Sequence, residues 1–223
     1  HKDFLCVDKP SGMLCAADRQ GQSGLREFLQ KKYGEVFLTH RIDRETSGIM
    51  IFARNPETHK ALSTQFERHE IQKKYLALVM GAAQVQTISL PLLTKKIGSH
   101  HKALVDRSKG KPAETIITDV EILGPYSLIR CQITSGRMHQ IRAHLSAIHH
   151  PLVGDDRYDG PSSFYLSSIK KLNNRQSEKP LLDRVALHAE HLSFTLNNAS
   201  YQYTSTPPKD IRATLQQLRK RFN

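Results

Sequence analysis

The chain has 223 residues, enough to bury roughly 70% of its unfolded surface as one well-packed domain or as two sharing a core. Its 33 lysines and arginines against 21 aspartates and glutamates give a formal charge of +12, which favours a polyanionic partner, nucleic acid ahead of an acidic membrane surface. No apolar run reaches the length of a membrane span and no signal peptide opens the chain, while Cys6, Cys15 and Cys131 are too few and too irregularly spaced for a disulfide framework or a zinc site, so the expectation is a soluble cytoplasmic protein.

In chain order, Phe4-Leu5-Cys6-Val7 reads as a strand stopped by Asp8-Lys9-Pro10. The first residue is His1 rather than Met, which leaves room for an upstream segment. Ser23 precedes a helical pattern with Leu25, Phe28, Leu29 and Tyr33 on one face, Lys31 and Lys32 at its C-terminal end and Gly34 as the stop. Next comes His40-Arg41-Ile42-Asp43-Arg44-Glu45-Thr46-Ser47-Gly48, a polar loop that runs into the apolar Ile49-Met50-Ile51-Phe52-Ala53. Arg41 and Arg44 place positive charge beside Asp43, which keeps a carboxylate ionised and available as nucleophile or base; the same spacing suits an Asp that only caps the turn. Residue chemistry leaves both readings open.

Asn55-Pro56 then marks a helix start, with Ala61, Leu62 and Phe66 as its apolar stripe. Tyr75 to Met80 reads as a strand on which Tyr75, Ala77 and Val79 share a face. From Thr94 to Lys111 the chain is polar and basic and predicts an exposed loop or projecting hairpin, either a solvated charge run or an arm that contacts phosphates. Thr115 to Leu123 and Tyr126 to Thr134 bracket Gly124-Pro125 as two antiparallel strands. The segment His139 to His150 reads as a helix with Ile141, Leu145 and Ile148 buried and with His139 and Arg142 together on a neighbouring face. His139 and His144 are not four apart and have no acidic third ligand nearby, so no metal is expected. Pro161 to Pro180, with Asn173 and Asn174, reads as a surface excursion. Ala186 to Ala189 and Leu192 to Leu196 read as two short strands, and a last helix begins near Pro207-Pro208 with Ile211, Leu215 and Leu218 on its packed face. Strands that follow one another directly, with helices interspersed, favour an α+β fold with a largely antiparallel sheet.

The stretch from His40 to Gly48 resembles the His-Arg-Leu-Asp-x-x-Thr-Ser-Gly signature of the RluA-type pseudouridine synthases, departing only at Ile42. Four more segments resemble that family in the same order: Lys9-Pro10-Ser11-Gly12; Lys74-Tyr75-Leu76-Ala77-Leu78-Val79; Gly136 to His144, with Ser135 for the usual Thr; and Gly154-Asp155 with Tyr158, then Leu187-His188-Ala189 with Phe194. The resemblance implies a single catalytic domain over 1–223, with no N-terminal S4-like module in it, whose long mixed, mainly antiparallel sheet bends around a central cleft with helices outside. It implies isomerisation of uridine to pseudouridine in ribosomal or transfer RNA, with no cofactor, by a monomer. Asp43 is its catalytic carboxylate, acting by attack on sugar or base or by proton abstraction; Tyr75 lies against the flipped uridine and accepts a proton; Arg142 pairs with Asp43. Arg41 fills the gap left by the flipped base, and Thr46, His139, Gln140 and Leu187 line the substrate site. Two other classes remain: an RNA-binding module without catalysis, and a two-carboxylate hydrolase pairing Asp43 with Glu45 or Asp155.

Overall fold

The structure is a computed structural model that describes residues 1–98, 100–171 and 178–222. In chain order the strands and helices are β1 (Phe4–Lys9), α1 (Leu25–Tyr33), β2 (Phe37–Leu38), β3 (Ser47–Ala53), α2 (Pro56–Glu67), β4 (Gln72–Met80), β5 (Gln86–Ser89), β6 (Leu92–Ile97), β7 (His100–Val105), β8 (Glu114–Leu123), β9 (Tyr126–Ile133), α3 (Gln140–Ala147), β10 (Leu187–Leu196), β11 (Ala199–Thr204) and α4 (Lys209–Phe222). Two compact units contain them: His1–Lys74 with His188–Thr206, and Tyr75–Leu187 with Pro207–Asn223. In each, mainly antiparallel strands pack against helices, the α+β organisation expected from the sequence.

In the first unit β3 is the central strand. It is buried at every position, which is why its sequence is a continuous apolar run with no alternation. β1 pairs with it antiparallel from Phe4↔Ala53 to Lys9↔Gly48, β2 adds two residues, and β10 runs parallel to it through His188↔Ser47 and Ala189↔Gly48. Ile49 and Ile51 meet Phe4, Leu62, Ile71, Leu192, Phe194 and Leu196 in one apolar core. The burial of each such side chain contributes roughly 1.5–3 kcal/mol. α2 begins as its sequence dictates: the Asn55 side chain accepts from Thr58 N at 2.8 Å and Pro56 takes the first turn, where no N–H is needed.

Three expectations change here. α1 is capped from Gly24 rather than Ser23, with the Glu27 carboxylate accepting from Gly24 N at 2.9 Å. Phe28 and Tyr33 are 59% and 41% exposed, because this nine-residue helix buries only the line through Leu25 and Leu29. Leu187–Leu196 is one strand, not two short ones, and it pairs with β11 from Leu196↔Ala199 to His191↔Thr204.

In the second unit β4, β9, β8 and β5 lie side by side in that order. β8 and β9 form the expected hairpin, closing at Leu123↔Tyr126 on Gly124, whose φ of +63° and contact with the Phe222 ring leave no room for a Cβ. The apolar face of α4, Ile211, Leu215 and Leu218, packs with Leu76, Leu78, Leu128, Val153, Phe164 and Leu182. Phe164 and Ile169 belong to this core, so the excursion from Pro161 is anchored, not merely superficial; Asn173 and Asn174 fall outside the described residues. The basic segment is a hairpin, as expected: β6 and β7 form a two-stranded ribbon in which Lys95 faces Lys102 and Lys96 faces His101. Its root is held by Leu92 and Ala103, which pack with Ala113, Ala143 and Tyr158.

Candidate active site

Asp43 sits half-exposed in the loop between β2 and β3, and that loop is clamped by the Lys9-Pro10-Ser11-Gly12 turn. Lys9 is 0% exposed, and its ammonium donates to the carbonyls of Pro10 (3.0 Å), Met13 (2.9 Å) and Arg44 (3.0 Å). The Arg44 carbonyl also accepts from Gly12 N at 2.8 Å, Arg44 Nε donates back to the Gly12 carbonyl at 2.9 Å, and the Ser11 hydroxyl donates to the Glu45 carbonyl at 2.5 Å. Two sequence segments that look unrelated are thus one interlocked turn pair. A buried ammonium tolerates burial because carbonyl dipoles replace its water. Asp43 itself closes the turn through its carbonyl, which accepts from Thr46 N at 3.2 Å, so its carboxylate is not needed for that bond.

The end of the loop is fixed from β10. His188 Nε2 lies 3.2 Å from the Ser205 carbonyl and must donate to it, so Nδ1 accepts from the Ser47 hydroxyl at 3.0 Å. Gly48 has φ +117°, and a Cβ there would strike the Ala189 backbone. Thr46, expected to line the substrate site, is buried beside them. Arg41 is exposed. At the loop's start, Ile51 N donates to His40 Nε2 at 3.1 Å while the ring stacks on Phe66 at 4.4 Å; burial, with the Lys73 charge adding to it, pushes the His40 imidazole down to about 3 and holds it neutral.

The second cluster is built on α3. His139 caps this helix in the left-handed region, φ +50°, an uncommon conformation for a non-glycine residue and one that turns its ring towards Tyr158. Ala103 N donates to the Tyr158 hydroxyl at 2.8 Å, leaving that hydroxyl to donate to His139 Nδ1 at 2.9 Å. The Tyr158 ring carries the Arg142 guanidinium 5.0 Å from its centroid and Lys102 Nζ at 4.8 Å. Arg142 and Asp155, 3% and 1% exposed, form a bidentate pair, Nε to Oδ2 and Nη2 to Oδ1, both 2.7 Å. Both Asp155 oxygens are therefore engaged by Arg142, which removes Asp155 as the second acid of a hydrolase.

Gln140 points inward. Its carbonyl oxygen accepts from Ser135 Oγ (2.7 Å) and Arg137 N (3.0 Å), and its amide donates to the Glu114 carbonyl (2.8 Å) and Thr115 Oγ1 (3.3 Å). It holds the Gly136-to-His139 loop in shape. His144 extends the chain, with Nε2 donating to the Leu90 carbonyl at 2.8 Å and Nδ1 accepting from Thr115 at 2.9 Å; burial lowers its pKa below the usual histidine value. Tyr75 is buried at the start of the second unit's share of β4, and Leu187 is buried at the first position of β10. His139 and Arg142, expected together from their spacing, both meet Tyr158, whereas sequence reasoning named Asp155 and Tyr158 without finding Asp155 as the partner of Arg142, and did not find Lys9 as the clamp. For Lys9 the signal was present, a lysine buried between a strand and a Pro-Ser-Gly turn.

Comparison with known proteins agrees. The RNA pseudouridylate synthase family matches residues 3–147. Ribosomal large subunit pseudouridine synthase D of Zymomonas mobilis is 31% identical over 229 residues, covering 96% of this chain and 70% of that protein. Ribosomal large subunit pseudouridine synthase C of Haemophilus ducreyi is 33% identical, with 97% and 67% covered, and tRNA pseudouridine synthase C of the same organism is 31% identical, with 86% and 82% covered. The fold is shared with human RNA pseudouridylate synthase domain containing 4, at a TM-score of 0.78 and 22% identity over 98% of this chain and 91% of that one. With its signature loop clamped as described and the family matching more than half its length, the chain belongs to the RNA pseudouridylate synthases, isomerases that convert uridine to pseudouridine in RNA.

Proposed function

We propose that the chain isomerises particular uridines of ribosomal or transfer RNA, with Asp43 as the catalytic carboxylate, acting as a monomer in the cytoplasm. The observation that carries this reading is the interlock of Lys9–Gly12 with the Arg44 and Glu45 carbonyls, which fixes the loop backbone on both sides of a half-exposed Asp43. Relatives named for ribosomal and for transfer RNA substrates support the two RNA classes alike. In the reaction the C1′–N1 bond breaks, the uracil turns, and a C1′–C5 bond forms; nothing is oxidised or hydrolysed. A carboxylate suits the first step because it can bond to carbon and leave again. Tyr75 takes the C5 proton, and Arg142 keeps the catalytic carboxylate ionised and oriented. The target uridine leaves the base stack, at a cost of a few kcal/mol that favours unpaired positions, and Arg41 fills the gap. Thr46, His139, Gln140 and Leu187 shape the substrate site, Gln140 by holding the His139 loop.

The test is carbodiimide mapping of pseudouridine on unmodified ribosomal and transfer RNA incubated with the wild type or Asp43→Asn. New stops with wild type alone are expected; stops of equal strength with both would remove Asp43 from the chemistry.

A further inference from the structure

Three cations are buried among the described residues, and two of them have close acceptors: three carbonyls for Lys9 and Asp155 for Arg142. The third is Lys73, 9% exposed, on β4. Its Nζ lies over the Phe66 ring, 5.8 Å from the centroid, and among the described residues no carboxylate, hydroxyl or carbonyl accepts from it. His40 stacks on that same ring, with centroids 4.4 Å apart and planes 23° from parallel. Because Ile51 N occupies its Nε2, the neutral imidazole carries its proton on Nδ1, and this N–H also lacks an acceptor among the described residues.

Two donors thus gather against one aromatic ring with no protein acceptor, yet neither is sealed from water, so both are open to an acceptor from outside. Burial lowers the Lys73 pKa as it stands, since nothing nearby compensates its charge. A partner that displaces water here would be an acceptor, would be anionic to match Lys73, and would come from outside the unit. A phosphodiester meets all three requirements: its oxygens accept only, it is charged at every physiological pH, and the chain's +12 charge draws such a polyanion in. Position agrees as well. His40 lies three residues before Asp43 in the signature loop, and Lys73 lies two residues before Tyr75 in β4.

We infer that Lys73 and His40 form a phosphate-binding pair that grips the RNA strand close to the reacting nucleotide. The inference rests on RNA being the substrate, and it makes Lys73 a positioning residue outside the chemistry itself.

The experiment compares wild type, Lys73→Met and Lys73→Arg on unmodified transcripts of large-subunit ribosomal RNA and of transfer RNA. Lys73→Met keeps the buried stem and removes the charge. It is expected to weaken binding about tenfold and to flatten the dependence of log K on log salt by about 1, with KM rising more than kcat falls, whereas Lys73→Arg retains the salt slope. Acetic anhydride labelling of the wild type, read by mass spectrometry, does not depend on any variant folding: bound RNA should shield Lys73. A wild-type salt slope in Lys73→Met, or equal labelling with and without RNA, overturns the inference. If the wild type binds RNA but forms no pseudouridine, the functional reading fails while slope and labelling still decide the phosphate contact; if it binds neither transcript, both fail.

Discussion

Replacing Asp155 with Asn keeps the shape of the side chain but takes away its charge and turns one acceptor into a donor. In the native structure both Asp155 oxygens accept from Arg142 at 2.7 Å, and neither side chain is more than 3% exposed, so water cannot compensate the change. Removing one partner of a buried ion pair costs about 3–5 kcal/mol; because Asn keeps one acceptor, the expected loss is near the lower end, about 3 kcal/mol. With urea slopes of about 1–3 kcal/mol per molar, the unfolding midpoint should fall by roughly 1–3 M. The loss should be smaller when Arg142→Met is added to Asp155→Leu, since no charge is then stranded. Activity of Asp155→Asn should fall through kcat, because a guanidinium freed from its fork no longer holds one rotamer against Tyr158. A midpoint within about 0.3 M of wild type, with full activity, would refute the claim that this pair fixes Arg142.

Other outcomes follow from the same geometry. Gly48→Ala puts a Cβ into the Ala189 backbone at φ +117° and should cost more than the about 1–3 kcal/mol of backbone strain alone; an unchanged melting temperature would contradict the tight β3–β10 approach. His40 is held neutral down to about 3, so between its usual value near 6.5 and that point the unfolded chain binds a proton that the folded chain does not. Stability should therefore fall as pH drops through this window, and His40→Gln should flatten the slope in urea melts taken from pH 7 to pH 4. Tyr158→Phe strands the Ala103 N–H and should speed its hydrogen exchange relative to the rest of the β6–β7 ribbon; equal protection would show that the hydroxyl does not hold the ribbon.

The parts of the fold set by short-range pattern were legible from the sequence. The Asn55-Pro56 start, the Gly124-Pro125 hairpin and the apolar face of α4 each depend on neighbouring residues, and each was found. The loop around Asp43 was legible because its signature is contiguous. What escaped was set by partners distant in sequence. Arg142 and Asp155 are thirteen residues apart, with a helix end and a turn between them, and no periodicity links the two. β5 and β2 are four and two residues long and owe their extended form to the strands they join. β11 had a signal that went unused: Asn197-Asn198, both with positive φ, is a tight hairpin turn between Leu196 and Ala199. Glu190-His191, which fall between the two short strands expected there, lie within one continuous strand that pairs with β11.

The β6–β7 ribbon has a second consequence, one that concerns encounters between copies of the protein. Beyond its root, where Leu92 bridges to Lys111 and Ala103 N is held by the Tyr158 hydroxyl, the outer edges of a two-stranded ribbon offer backbone N–H and C=O groups to a strand from another molecule. Facing lysines at Lys95↔Lys102, with His101 opposite Lys96, weaken the ribbon's own cross-strand pairing, since like charges repel. They repel an identical ribbon too. The charge pattern that costs the hairpin some rigidity thus keeps its edges from templating sheet growth, so neutralising those lysines should produce aggregates before it produces an unfolded chain.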